Sequence, residues 1–162
     1  MAGQRTFPKP WPSCKESEVI NIENHMKLTF DAKSANEGFA RVAVAAFAAQ
    51  LDPTLEEISD IKTALSEAVT NAIIHGYEHM DGGEVEIECS IDGATVEIAV
   101  RDHGRGIADV KQAMEPLYTS HPEMERSGMG FTVMETFMDS IGVNTRVGEG
   151  TEVKMTKTVR QK

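Results

Sequence analysis

The stretch "SEAVTNAIIHGY", residues 66–77, carries candidate catalytic and metal-binding side chains. Glu67, Asn71 and His75 are spaced four residues apart there, so on a helix they form one stripe opposite the apolar positions. An amide oxygen such as that of Asn71 is a hard ligand suited to Mg²⁺, and a carboxylate one turn earlier can accept a proton from an attacking hydroxyl. Taken alone, the pair is as typical of a solvated helix face, and His75 is typical of a polar helix end.

A second stretch, "RDHGRGI", follows a predicted strand and brings an acid to the end of that strand. The carboxylate of Asp102 can accept a hydrogen bond from an exocyclic amine, and glycines at 104 and 106 let the backbone approach a flat ring. A hydrogen bond to a charged group is worth about 1.5–3 kcal/mol, enough to prefer adenine over a base with a carbonyl at that position. In isolation an ordinary Asp-Gly turn explains the same residues.

A third stretch, "RSGMGF", precedes a predicted helix. Free N–H groups at a helix start, flanked by Gly128 and Gly130 and next to the cation of Arg126, form an anion site, although a simple helix cap also fits. The sequence has no P-loop motif and no protein-kinase HRD or DFG motif, so those two classes of phosphate chemistry are excluded. The three stretches in this order therefore predict a site for a nucleoside triphosphate with Mg²⁺.

Composition limits the partners of the chain. It has 162 residues, 40% of them hydrophobic, and a formal net charge of −10, which suits one globular domain with no electrostatic footprint for nucleic acid or an anionic membrane. No apolar run reaches the length of a membrane span. With only Cys14 and Cys89, a disulfide framework is not expected, and a reducing cytoplasm fits.

The elements that must position these groups follow from periodicity. Residues 1–25 are rich in proline and are expected to be a flexible extension, or to precede a true start near Met26; the domain proper is predicted over 26–160. The order is strand, helix, helix, two strands, helix, two strands. It predicts an α+β two-layer sandwich, with helices on one face of a mixed, mostly antiparallel sheet.

Two details of the helices are also predicted. The first helix should begin with a capping box between Ser34 and Glu37, and the second at Asp52 or at a box between Thr54 and Glu57. The first helix is expected to turn one set of residues inward: Phe39, Val42, Ala43, Ala46 and Phe47.

These motifs resemble the GHKL ATPases, whose N box matches residues 67–71 and whose two glycine boxes match 102–106 and 127–130. Three longer stretches narrow the resemblance to the sporulation anti-sigma F factors, a family of serine-protein kinases, over roughly residues 26–157: "FARVAVAAFAAQLDPTLEEI", "SEAVTNAIIHGY" and "ERSGMGFTVMETFMD". The resemblance implies a GHKL-type fold that uses ATP and Mg²⁺.

The resemblance also implies roles for individual residues. Glu67 would be the general base, Asn71 would bind Mg²⁺, and Asp102 would hold the adenine amine with Gly104 and Gly106 beside the ring. His103 stands where the family often has Asn or Glu, with little consequence expected.

Further roles concern the phosphates and the partners. Arg126 would contact the terminal phosphate, and Thr151 would support the aspartate that binds adenine. The phosphates would be lined by Ser127, Gly128, Met129 and Gly130. Arg41 and Glu125 would face partner proteins.

The family function implied is a switch. A homodimer binds a sigma factor of the sigma-F type and inhibits it, and it phosphorylates a serine of an anti-anti-sigma factor with Mg-ATP. Two alternatives remain open: a general-stress anti-sigma B type serine kinase, and a nucleotide-sensing binding module without phosphoryl transfer. A detached histidine-kinase domain is disfavoured because His25 lies at a strand start and not on a dimerising helix.

Overall fold

The computed structural model describes residues 22–115 and 130–160. This part of the chain forms five strands and four helices, in chain order β1 (Glu23–Asp31), α1 (Glu37–Ala48), α2 (Leu55–Asn71), β2 (Glu84–Asp92), β3 (Thr95–Asp102), α3 (Val110–Ala113), α4 (Gly130–Phe137), β4 (Ser140–Arg146) and β5 (Gly150–Thr158). A π-helical turn, Ala72–Gly76, extends α2. The predicted order of elements is confirmed, with α3 as an addition.

The strands form one sheet in the order β1-β2-β3-β5-β4. All of the pairings among these strands are antiparallel, so the described sheet is wholly antiparallel where a mixed, mostly antiparallel one was predicted. β1 begins at Glu23, three residues before the predicted Met26, because its first residues continue the ladder opposite Ser90–Asp92. The α+β sandwich is confirmed.

The core lies between the sheet and the helices. Alternate residues of β2 and β3 are buried against α1, α2 and α4, as their period of two predicts: Val85, Ile87, Cys89, Ile91, Val96, Ile98 and Val100. Cys89 is free and burial raises the pKa of its thiol to about 12, so it packs as a small apolar residue. None of the described helices is long and apolar enough to cross a membrane.

Of the two predicted starts of α2, the capping box between Thr54 and Glu57 is confirmed. Thr54 accepts a hydrogen bond from the Glu57 amide at 3.1 Å, and the Glu57 carboxylate accepts one from the Thr54 amide at 2.8 Å. Glu57 also accepts from the Arg160 amide at 2.9 Å, so one buried carboxylate fixes both the helix start and the chain after β5. This contact orients the helix that carries Glu67 and Asn71.

The prediction for α1 is wrong in two respects. No capping box forms: Ser34 lies in a short 3₁₀ turn, and the Glu37 carboxylate instead accepts a hydrogen bond from Ser66 and pairs with Arg41 at 3.5 Å. The face of α1 that packs inward also differs from the predicted one, as the 58% exposure of Phe39 and the 62% exposure of Val42 show. The buried positions are Ala40, Val44, Phe47 and Ala48, so the prediction is confirmed for Phe47. The helix is so apolar that periodicity alone does not select which side packs on α2.

Candidate functional site

A cavity of about 450 Å³ lies between α2, the loop after β3, the start of α4 and the turn joining β4 to β5. Its volume is within the range of about 300–1,000 Å³ that is typical of small-ligand pockets. The predicted residues Asn71, Asp102, Gly106, Gly130 and Thr151 all line it. The fold therefore brings residues from distant parts of the chain to one concave surface.

Asp102 forms the buried end of this cavity, at the last position of β3. The residue is only 7% exposed, and its carboxylate accepts a hydrogen bond from the Gly104 amide at 3.0 Å. Burial raises the pKa of Asp102, while hydrogen bonds from the Gly104 and Thr151 amides act in the opposite direction. A buried carboxylate facing a cavity is suited to accept a hydrogen bond from a donor on a ligand, such as an exocyclic amine.

The two glycines after Asp102 have different roles in the geometry. A methyl group at Gly104 would overlap the backbone carbonyl of Gly76, so glycine lets this loop press against the end of α2; Gly104 is not among the residues that line the cavity. Gly106 does line it, and has φ of 73°, a left-handed conformation that favours glycine. The motif thus both anchors the loop and forms part of the wall.

The loop is held by hydroxyl groups from two other elements. The Tyr77 hydroxyl accepts a hydrogen bond from the His103 amide at 2.9 Å and donates one to the Glu84 carbonyl oxygen. Thr145 on β4 accepts from the Ile107 amide at 2.9 Å, and its Oγ1 lies 2.9 Å from that of Thr151. These bonds hold both ends of the loop that follows Asp102.

The predicted pair from α2, Glu67 and Asn71, lies beside the first described residue of α4. A methyl group placed on Gly130 would lie 3.3 Å from both Asn71 Oδ1 and Glu67 Oε2. The amide of Asn71 and the carboxylate of Glu67 therefore both border the space next to Gly130. Asn71 lines the cavity, and Glu67 is not among its lining residues.

The oxygens beside Gly130 are of the type that a magnesium ion shared with phosphates would take. Within residues 22–115 and 130–160, no three His, Cys, Asp or Glu side chains cluster as metal ligands. Mg²⁺ commonly takes few protein oxygens and completes its shell with phosphates and water. An amide oxygen such as that of Asn71 is of this type, and a methyl group on Gly130 would crowd it at 3.3 Å.

The remaining predicted residues lie elsewhere. Arg41 is on α1 and outside the cavity; its guanidinium is 3.5 Å from Ser66 Oγ and from the Glu37 carboxylate. The others fall outside the described residues: Glu125, Arg126, Ser127, Gly128 and Met129. Their predicted roles stay predictions.

Sequence reasoning missed several residues of the cavity wall. None of the three motifs, the N box and the two glycine boxes, includes Gly76, and His75 is typical of a polar helix end, yet both line the cavity through the π-helical turn. Such turns are frequent at functional sites, but a π turn has no clear sequence signal. Arg105 and Val147 were also missed, although the position of Arg105 between the two glycines pointed to it.

Comparison with known proteins identifies the family. Residues 30–157 match the histidine kinase-like ATPase domain. An anti-sigma F factor of Clostridium botulinum (strain Eklund 17B / Type B) is 62% identical over 135 residues, which cover 83% of this chain and 94% of the relative. The anti-sigma F factor of Anoxybacillus flavithermus is 58% identical over 136 residues, covering 84% of this chain and 93% of that protein.

A solved structure agrees with the fold. The crystal structure of the RsbU and RsbW domains of a Mycobacterium tuberculosis protein superposes with a TM-score of 0.63 at 20% identity, covering 86% of this chain and 33% of that one. This chain thus spans a third of that longer protein, and the likeness concerns the fold alone. With the domain match and the relatives at about 60% identity, the chain belongs to the histidine kinase-like ATPase family and, within it, to the anti-sigma F factors.

Proposed function

We propose that this anti-sigma factor is an ATP-dependent protein kinase that phosphorylates a serine of an anti-anti-sigma factor and also binds and inhibits a sigma-F type sigma factor. Membership of an ATPase family makes ATP the nucleotide. The observation that carries the transfer reaction is that the Glu67 carboxylate and the Asn71 amide both lie beside Gly130, which lines the same cavity as Asn71 and Asp102. A site that only sensed nucleotide would need no carboxylate at that point.

Each residue has a distinct task in the proposed reaction. Asp102 accepts a hydrogen bond from the adenine amine and so orients the nucleotide along the cavity. Mg²⁺, held by Asn71 and phosphate oxygens, would neutralise the charge of the triphosphate. Glu67 accepts the proton of the serine hydroxyl, and the serine oxygen forms a bond to the γ-phosphorus. The bond between the γ-phosphorus and the β–γ bridging oxygen breaks at the same time, which releases ADP.

The N-terminal end of α4 would add fixed electrostatic support. The first N–H groups of a helix in general carry partial positive charge, which suits the phosphates of a nucleotide. Arg126 and residues 127–130 are proposed to complete this phosphate site, as their match to the family motif implies. A strongly acidic chain, with net charge −10, needs such local help to bind ATP.

The proposed partners are proteins. The names of the relatives, anti-sigma F factor, support a sigma factor as one partner. We propose in addition an anti-anti-sigma factor as the phosphorylated protein, a homodimer as the assembly, and the cytoplasm as the compartment. Arg41 and Glu125 are the proposed partner contacts, and the exposed Phe39 and Val42 beside Arg41 on α1 support the first of these.

Transfer of label from γ-labelled ATP to protein in an extract of the source organism tests the proposal. The wild type is compared with Glu67→Gln, which removes the charge and keeps the shape. Glu56→Gln serves as the matched control, because Glu56 is an exposed acid on the same helix. We expect a small protein to gain label on serine with the wild type and with Glu56→Gln, and at least about 100-fold less with Glu67→Gln.

Other outcomes separate the alternatives. Release of free phosphate without labelled protein would identify an ATPase and remove the kinase assignment. Binding of ATP with neither product would favour a nucleotide-sensing module. Loss of ATP binding together with transfer in Glu67→Gln would make Glu67 a structural residue and refute its role as base.

A further inference from the structure

Arg105 is the one charged residue between the two glycines of the loop after β3, and it lines the cavity. Both of its backbone polar groups are used. Its amide donates to the Gly76 carbonyl at 2.7 Å, and its carbonyl oxygen accepts from the Gly148 amide at 2.8 Å. The backbone of Arg105 therefore joins the end of α2 to the turn between β4 and β5.

The side chain of Arg105 repeats the connection to α2. Its Nε donates to the His75 carbonyl at 3.0 Å, and its guanidinium pairs with the Glu78 carboxylate, whose side chain is only 13% exposed. The His75 carbonyl lies at the C-terminal end of the extended helix, where a cation is favoured by the helix dipole and by carbonyls that lack helical partners. A planar guanidinium binds the carbonyl through Nε and the carboxylate through a terminal nitrogen in one fixed geometry, whereas a lysine ammonium would bind them as a single flexible point charge.

This connection acts on the place where Asp102 is held. A methyl group on Gly76 would lie 2.7–2.9 Å from all three atoms of the Asp102 carboxyl group, so the carboxylate is packed directly on the end of α2. A small displacement of the loop against this helix would move the carboxylate relative to the cavity. Arg105 is the residue whose side chain and backbone both oppose that displacement.

Building on the proposed function, we infer that Arg105 is a positioning residue for base selection. Through His75 and Glu78 it fixes the loop against α2, and so holds the Asp102 carboxylate where it accepts from an amino purine and disfavours an oxo purine. Its effect then falls on the discrimination between bases and not on the binding of phosphates.

Dissociation constants of ADP and inosine diphosphate test this inference, since inosine has a carbonyl in place of the adenine amine. They are measured for the wild type, Arg105→Met, Arg105→Lys and Glu78→Gln. Arg146→Met is the matched control, because it removes the same charge from an exposed arginine whose side chain is outside the cavity. Near-UV circular dichroism checks that each variant is folded.

We expect the preference of the wild type for ADP to fall about fivefold in Arg105→Met, the size of one lost net hydrogen bond. Arg105→Lys should give a smaller fall, and Glu78→Gln should change the ratio in the same direction without touching the nucleotide. The ratio should stay at the wild-type value in Arg146→Met.

Two results would overturn the inference. Equal weakening of both nucleotides in Arg105→Met would mean that the guanidinium acts on the phosphates. An unchanged ratio in Arg105→Met and Glu78→Gln would mean that neither residue positions Asp102. A wild type that binds both nucleotides equally would instead refute the adenine role of Asp102, and with it the proposed function.

Discussion

Replacing Gly76 by alanine tests the adenine site through a single methyl group. The methyl would lie 2.7 Å from Cγ of Asp102 and 2.8 and 2.9 Å from its two oxygens, closer than side chains pack. Gly76 does not have a positive φ, so alanine is not strained in its backbone. The carboxylate must therefore move away from the helix end, although it is buried and held by the Gly104 amide.

The expected effects on binding and on stability differ in size. Loss of a hydrogen bond to a charged group costs about 1.5–3 kcal/mol, so the ADP dissociation constant should rise about 10- to 150-fold. Overpacking costs about 1–3 kcal/mol, and alanine regains about 1 kcal/mol of helix propensity over glycine. The free energy of unfolding without nucleotide should therefore fall by no more than about 2 kcal/mol.

Isothermal titration calorimetry with ADP, together with urea unfolding of the nucleotide-free protein, measures both quantities. Gly142→Ala is the control, because a methyl group there meets no atom within 4 Å. An ADP dissociation constant for Gly76→Ala within about threefold of the wild type would refute the reasoning, since the carboxylate would then bind adenine equally well after displacement.

Other predictions concern charge and stability. Because burial raises the pKa of Asp102, the folded protein favours the protonated carboxyl group and the ionised form lowers the free energy of unfolding. The stabilising contribution of the protonated group is fully present below the unfolded pKa of 3.8 and is lost as pH rises through the folded pKa. Asp102→Asn should thus gain stability relative to the wild type as pH rises through this interval, in urea titrations of the nucleotide-free protein, while it loses ADP affinity; a gap independent of pH would contradict this. Hydrogen bonds from the Arg160 and Thr54 amides lower the pKa of Glu57, so its contribution is present above the unfolded value of 4.5 and is lost as pH falls through the folded value. Glu57→Gln should cost about 1–2 kcal/mol at pH 7 and progressively less in acid, and an equal cost at both pH values would argue against it. Lys157→Met should lower the free energy of unfolding by about 3 kcal/mol, because the Lys157 ammonium lies 3.0 Å from the Asp60 carboxylate in a largely buried pair. The double variant with Asp60→Leu should recover much of that loss.

The sequence by itself determined the local elements and the chemistry of the site residues. The strands of 84–92 and 95–102 follow from alternation, and the start of α2 follows from Thr54 and Glu57, because these patterns depend on backbone geometry within a few residues. The spacing of Glu67 and Asn71 likewise places both on one helix face whatever the rest of the chain does. The same local rules predicted that Asp102 ends a strand, which is confirmed.

Only the tertiary structure decided how these elements meet. Nothing local selects which side of the apolar α1 is buried, so the exposure of Phe39 and Val42 was mispredicted. The contacts of Gly76 with Asp102 and of Arg105 with His75 join residues more than 25 positions apart. They arise because β3 lies beside β5 in the sheet and α2 packs across it, which brings the end of that helix onto the loop after β3. Burial of the Asp102 carboxylate, and hence its raised pKa, is a property of that packing and of no segment alone.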